Sequence, residues 1–170
     1  MKTNAITMSA LLFLLCGGFA SCDDTEDSHI TGTPPASAPE EVSAFFETCL
    51  PPSSYSHSDP EFGFSEINYG ESECFLINSM EEFAAIAPSG TDLPAIDFDK
   101  YSLLIGQYRT GDPGYKLDAQ AVDIQSDPII WNVRYKRLHG ASPAVVTTFY
   151  FWGLYNKLPA RAAVVDITIL

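Results

Sequence analysis

The run Ile129-Ile130-Trp131-Asn132-Val133-Arg134-Tyr135-Lys136 decides how this chain is read. Successive side chains of a strand point to opposite faces. Ile129, Trp131, Val133 and Tyr135 therefore share one face, and Asn132, Arg134 and Lys136 the other. The pattern predicts a strand with an apolar face in a core and a basic face in water. Toward the C-terminus, His139, Gly140, Ala141, Ser142 and Pro143 make a loop, and Ala144 to Trp152 is a β-branched and aromatic strand. Leu154 to Lys157 is ambiguous and Pro159 ends it. Ala163, Val165, Ile167 and Ile169 then alternate as a last strand that closes the sheet.

Toward the N-terminus, Tyr115, Leu117, Ala119 and Ala121 alternate with Lys116, Asp118 and Gln120, after which Val122 and Ile124 shift the apolar phase by one residue. Such a shift predicts a β-bulge. Tyr101 to Arg109 contains the continuous apolar run Leu103-Leu104-Ile105, which suits a central strand covered on both faces. Upstream, Ser79 followed three residues later by Glu82 is a capping box, and Met80, Phe83, Ala84 and Ile86 give one apolar helical face ending near Pro88. Phe64 to Tyr69 and Glu73 to Asn78 are β-prone runs around Tyr69-Gly70-Glu71 and predict a hairpin. Ala44 to Thr48 fits an opening strand or a short helix. The expected fold class is α+β: a mostly antiparallel β-sheet of about seven strands with one short helix at about 79–87.

The first residues have a different character. After Lys2, the apolar stretch from Ala5 to Leu15 is shorter than the roughly 20 residues a bilayer needs, which is the shape of a signal peptide. Gly17 and Gly18 break it, and Phe19-Ala20-Ser21-Cys22 resembles the lipobox that signal peptidase II reads in bacterial lipoproteins, with Phe19 where Leu is usual. Residues 1–21 are thus expected to be a lipoprotein signal peptide, with Cys22 the lipid-attachment residue. Each buried methylene of an acyl chain contributes about 0.8 kcal/mol, so three chains would anchor the protein firmly. Asp23, Asp24, Glu26 and Asp27 resemble the acidic export signal of Bacteroidota-type surface lipoproteins. Residues 22–41, rich in acids, Ser, Thr and Pro, are expected to be a disordered tether. Residues 42–170 make a single β-rich extracytoplasmic domain, within the ordinary size range of one core.

The chain's formal charge is −13, and no Lys or Arg occurs between Lys2 and Lys100. A nucleic-acid partner needs a basic face, and this balance argues against one. Of four cysteines, Cys16 would leave with the signal and Cys22 would carry lipid, leaving Cys49 and Cys74. Outside the inner membrane such a pair tends to be oxidised. A Cys49–Cys74 disulfide is expected, closing the Pro- and Ser-rich loop at 50–73 and contributing about 3 kcal/mol in the chain-entropy model.

The stretches IDFDKYSLLIGQ at 96–107 and TGDPGYKLDAQAV at 110–122, with the final apolar strand, resemble the C-terminal domain of the PrcB-type protease-complex subunit family. Asp-Pro-Gly stands where the family usually has a double glycine before the tyrosine. The resemblance covers a little under half of the chain. It implies an antiparallel sheet with a helix and a non-catalytic role beside a partner protein, such as a protease.

Candidate chemistry is sparse. His29, His57 and His139 are scattered. His57, Asp59 and Glu61 alternate as conceivable ligands, but a loop's solvated polarity is the simpler reading, and no metal or cofactor is expected. Asp97 and Asp99 are read as turn and capping residues. No nucleophile elbow, phosphate-cradling loop or zinc-protease helix occurs, and no catalytic residue is assigned. Tyr135, Tyr150, Trp152 and Tyr155 form a candidate aromatic binding surface. The sequence thus points to a non-catalytic binding or accessory lipoprotein of the outer membrane, periplasmic or surface-exposed, held by lipid on Cys22 and meeting an unknown protein partner. A surface carbohydrate-binding module is the first alternative, and a protease inhibitor using the 50–73 loop the second.

Overall fold

The computed structural model describes residues 30–140 and 143–170. The expected signal peptide 1–21, Cys22 and the acids Asp23, Asp24, Glu26 and Asp27 lie outside the described residues. The elements in chain order are α1 (Glu40–Cys49), β1 (Ser72–Ile77), α2 (Met80–Ile86), β2 (Tyr101–Thr110), β3 (Tyr115–Asp123), β4 (Ile129–Arg137), β5 (Thr147–Asn156) and β6 (Ala163–Ile169). They form two three-stranded sheets, ordered β1-β2-β5 and β3-β4-β6. The described residues are mostly β with two short helices.

The decisive strand behaves as its alternation requires. In β4, Ile129, Trp131, Val133 and Tyr135 are buried, while Asn132 and Arg134 are half-buried and Lys136 is exposed. Burial of such large side chains is the main favourable contribution to folding. β2 is central in its sheet, antiparallel to both β1 and β5. Leu103 and Ile105 point into one core cluster and Leu104 into the other. That two-sided burial is the reason for its continuous apolar run.

The first cluster lies on the outer face of β1-β2-β5, under the two helices. Phe46 of α1 is fully buried and stacks on Trp152 of β5, ring centroids 4.4 Å apart, and on Phe83 of α2 at 6.0 Å. The second cluster lies between the sheets, where Trp131, Tyr135, Phe149, Phe151 and Tyr155 meet. Trp131 Nε1 donates to the Tyr155 hydroxyl at 2.8 Å, so both polar ends of these buried rings have a partner. β6 lies beside β1, and the Cys74 thiol donates to the Ala163 carbonyl at 3.6 Å. The sheets therefore meet along the β1–β6 side.

The α2 start is as read: Ser79 Oγ accepts from the Glu82 backbone N–H at 3.1 Å. Glu82 reaches back to accept from the N–H of Asn78, one residue beyond the usual return contact at the N-cap. A bulge is present in β3, but the register shift falls between Leu117 and Ala119 rather than at Val122. Ala121 and Val122 are instead both buried. At Tyr69-Gly70-Glu71, Gly70 takes the left-handed φ of +82° that glycine adopts without steric cost.

Several expectations are corrected. Among the described residues there are six strands rather than about seven, and the pairing is not uniformly antiparallel, because β6 runs parallel to β4. Phe64 to Tyr69 is not a strand. A hairpin partner is replaced there by side-chain bonds: Glu73 accepts from both the backbone N–H and the hydroxyl of Ser65, each at 2.9 Å. Among the described residues there are two helices rather than one, since Ala44 to Thr48 takes the helical of its two readings, within α1. The unpacked tether to residue 41 is overturned from Thr31 onward. Thr33 exchanges two backbone hydrogen bonds with Val122, and the Ala36 N–H donates to the Leu154 carbonyl.

The expected Cys49–Cys74 disulfide is not formed, and both cysteines are free thiols. The cause is strand alternation. Phe75 and Ile77 of β1 face the first cluster, with Cys49, whereas Cys74 faces the second. The sheet itself separates the two thiols.

Candidate binding groove

On the side away from β1 and β6 the two sheets are not joined by a backbone ladder. β3 and β5 come within side-chain reach where Gln120 Nε2 donates to the Trp152 carbonyl at 2.8 Å. Toward the start of β3 a cavity of about 710 Å³ opens between them. Its walls come from β3 (Tyr115, Leu117), β5 (Phe149, Phe151) and the stretch Leu50 to Tyr55 after α1, with Tyr135 of β4 among the lining residues. Lys116 and Glu47 supply charge at its edges, and Leu117 and Leu138 are exposed apolar side chains on it. A concavity of this size, mostly apolar with few polar groups, is the usual form of a binding site.

The backbone around it is unevenly satisfied. The outer edge of β5 is covered by Pro52 and Ser54: the Tyr150 N–H donates to the Pro52 carbonyl and the Ser54 N–H to the Thr148 carbonyl. The outer edge of β3 is paired at Val122 by Thr33, where Pro34 and Pro35, which carry no N–H, end the pairing. From Tyr115 to Ala121 that edge has no backbone partner among the described residues. An open strand edge is a template for a further strand. Tyr135 adds a second unmet demand. Its hydroxyl is buried without a hydrogen-bond partner among the described residues, and burial raises its pKa, with the nearby Tyr108 a smaller cause.

The candidate aromatic surface is corrected. Tyr135 and Tyr155 are buried between the sheets, and Tyr150 is buried and Trp152 half-buried in the cluster under the helices. They sit on opposite sides of the β5 sheet, because 150 and 152 alternate with 155. No shared platform exists, although Tyr135, Tyr150 and Trp152 each contribute to the cavity wall.

Other singled-out groups have structural roles. Asp97 accepts from the Asp99 N–H at 3.2 Å and pairs with Lys100 at 2.7 Å, and the Lys100 bond holds its carboxyl below the usual range. Burial, with the charge of Glu73 a smaller cause, pushes the Cys74 thiol up to about 12, which suppresses the nucleophilic thiolate. Among the described residues no three His, Cys, Asp or Glu side chains gather as a metal site, and His57, Asp59 and Glu61 stay apart in this sense. Asp59 is engaged otherwise, accepting the Tyr150 hydroxyl at 2.6 Å. The 50–73 loop is fixed to β5 at Ser53 and Ser54 rather than projecting freely. No described helix is long and apolar enough to cross a membrane.

The open β3 edge and the Leu50–Tyr55 wall escaped the sequence reading. Only the double proline at 34–35, which stops a strand from continuing, signals that edge. In comparisons with known proteins, no family model matches this chain, and neither a curated protein nor a solved structure shows significant similarity to it.

Proposed function

We propose that this chain is a non-catalytic accessory lipoprotein, anchored to the outer membrane through lipid on Cys22, whose domain holds an extended segment of a partner protein. The observation that carries the reading is the unpaired β3 edge from Tyr115 to Ala121 beside an apolar cavity. Strand addition uses these two features together: main-chain hydrogen bonds supply affinity, and pockets for alternate side chains supply specificity. The exposed Leu117 and Leu138 extend the apolar surface that a partner would cover. The stretches that resemble the PrcB-type family point to the same role, with a protease as the partner class. Asp23, Asp24, Glu26 and Asp27 favour export to the cell surface.

The test is site-specific photocrosslinking in the producing cell, with the reactive residue at Lys116 on the groove or at Asp166 on the exposed face of β6. A protein adduct is expected from position 116 and none from 166. Absence of a protein adduct at 116 overturns the partner reading. Cys22→Ser should release the chain from the membrane fraction, and its retention there would overturn the anchor.

A further inference from the structure

A second concavity, of about 420 Å³, lies on the helix-bearing side of the β1-β2-β5 sheet, between β2, β5 and the segment 59–67. It shares only Tyr150 with the groove. Its character is the reverse of the groove's, because polar groups make up much of its lining, the exposed Asp59, Ser65 and Glu66 among them. Gln107, Thr148 and Tyr150 are all buried. The Gln107 amide donates to the Ser65 carbonyl at 2.8 Å and to Glu73 at 2.7 Å, which leaves its carbonyl oxygen as a spare acceptor. Asp59 accepts from Tyr150 through one oxygen and has a second oxygen to offer. Arg109, half-buried in the same lining, makes no side-chain hydrogen bond or ion pair among the described residues.

An unpaired guanidinium is out of character in a chain of net charge −13. It brings five donors in a fixed fork to the lining of this cleft. Beside these groups stand aromatic rings, Phe64 and Tyr150, with centroids 5.8 Å apart. The site thus offers strong donors, strong acceptors and an apolar aromatic wall within one small cleft.

We propose that this cleft binds a neutral sugar residue. Each hydroxyl of a vicinal diol both donates and accepts. One pair can accept from Arg109 while donating to the free oxygen of Asp59 and the carbonyl of Gln107, with the C–H face of the ring against the aromatic wall. An anion fits poorly, because Asp59 and Glu66 line the cleft against one Arg. A purely apolar ligand would desolvate Arg109 and the remaining oxygens of Asp59 and Gln107 without pairing them. The volume is at the small end of the range for small-molecule sites. The proposal is independent of whether the groove takes a protein.

The experiment titrates the purified full chain with the methyl glycosides of glucose, galactose and mannose, and with glucuronate as the anionic comparator, followed by saturation-transfer NMR and intrinsic fluorescence. Saturable binding of at least one neutral glycoside, tighter than glucuronate, is expected. Arg109→Ala and the isosteric Asp59→Asn should each weaken it by about tenfold or more, the scale of a hydrogen bond to a charged group. Lys116→Glu, in the groove, should leave it unchanged. Failure of all three neutral glycosides to bind overturns the proposal, as does preference for glucuronate. So does undiminished binding by an Asp59→Asn chain whose circular dichroism is native.

Discussion

Gly106 shows how one residue is constrained from both sheets. It sits in the middle of β2 opposite Phe151 of β5. A Cβ there would lie 2.6 Å and 2.9 Å from the Phe151 ring and 3.0 Å from the Trp131 ring. Neither ring can withdraw easily. The Trp131 and Phe151 centroids are 4.9 Å apart, and Trp131 is tied to Tyr155 by its indole N–H. Gly106→Ala should therefore destabilise the fold by about 1–3 kcal/mol, the cost of overpacking a filled core. The measurement is a urea denaturation midpoint at constant slope, and an unchanged midpoint would show that the rings are freer than this packing implies. Nothing in the sequence around Gly106 announces this role, since the residues that crowd it come from two other strands.

At the level of elements, α2 was legible because its determinants are local. A seven-residue helix is too short to be stable through propensity alone, so its cap and its buried Phe83 carry it. Ser79→Ala removes the acceptor for the Glu82 N–H and should cost about 0.5–2 kcal/mol, read as a lower thermal midpoint. Ser79→Asn should restore most of the loss. By contrast, α1 has no side-chain cap at Pro39, which is why its start was not recognised. It has two acids, Glu40 and Glu41, in its first turn, where negative charge is favourable. Its place is set by Val42 and Phe46 seated in the first core cluster, which is a tertiary determinant. Phe64 to Tyr69 is β-prone in composition yet forms no backbone ladder with β1, the edge strand of its sheet. Here Glu73, which lies on the first-cluster face of β1, binds Ser65 by its side chain instead.

The whole molecule is organised by one sheet with two buried faces, and the cysteines test that description. Cys49 and Cys74 lie on opposite sides of β1-β2-β5, so the thermal midpoint should be the same with and without reductant. A disulfide closing this loop would instead be worth about 3 kcal/mol, and a clear fall on reduction would contradict the placement. The same two-sidedness scatters Tyr135, Tyr150, Trp152 and Tyr155, and it creates the groove, since the sheets join at β1 and β6 and part at β3 and β5. Taken alone, the sequence determined which residues share a face in β4, where α2 begins, and that β2 is central, because alternation, capping and continuous apolar runs are written in neighbouring residues. Only the tertiary structure decided which of two cores each face enters, that β6 pairs parallel to β4, and which strand edge is left open. Those outcomes depend on contacts between segments far apart in the chain, and the side-chain period of two is the same whichever partner a strand finally meets.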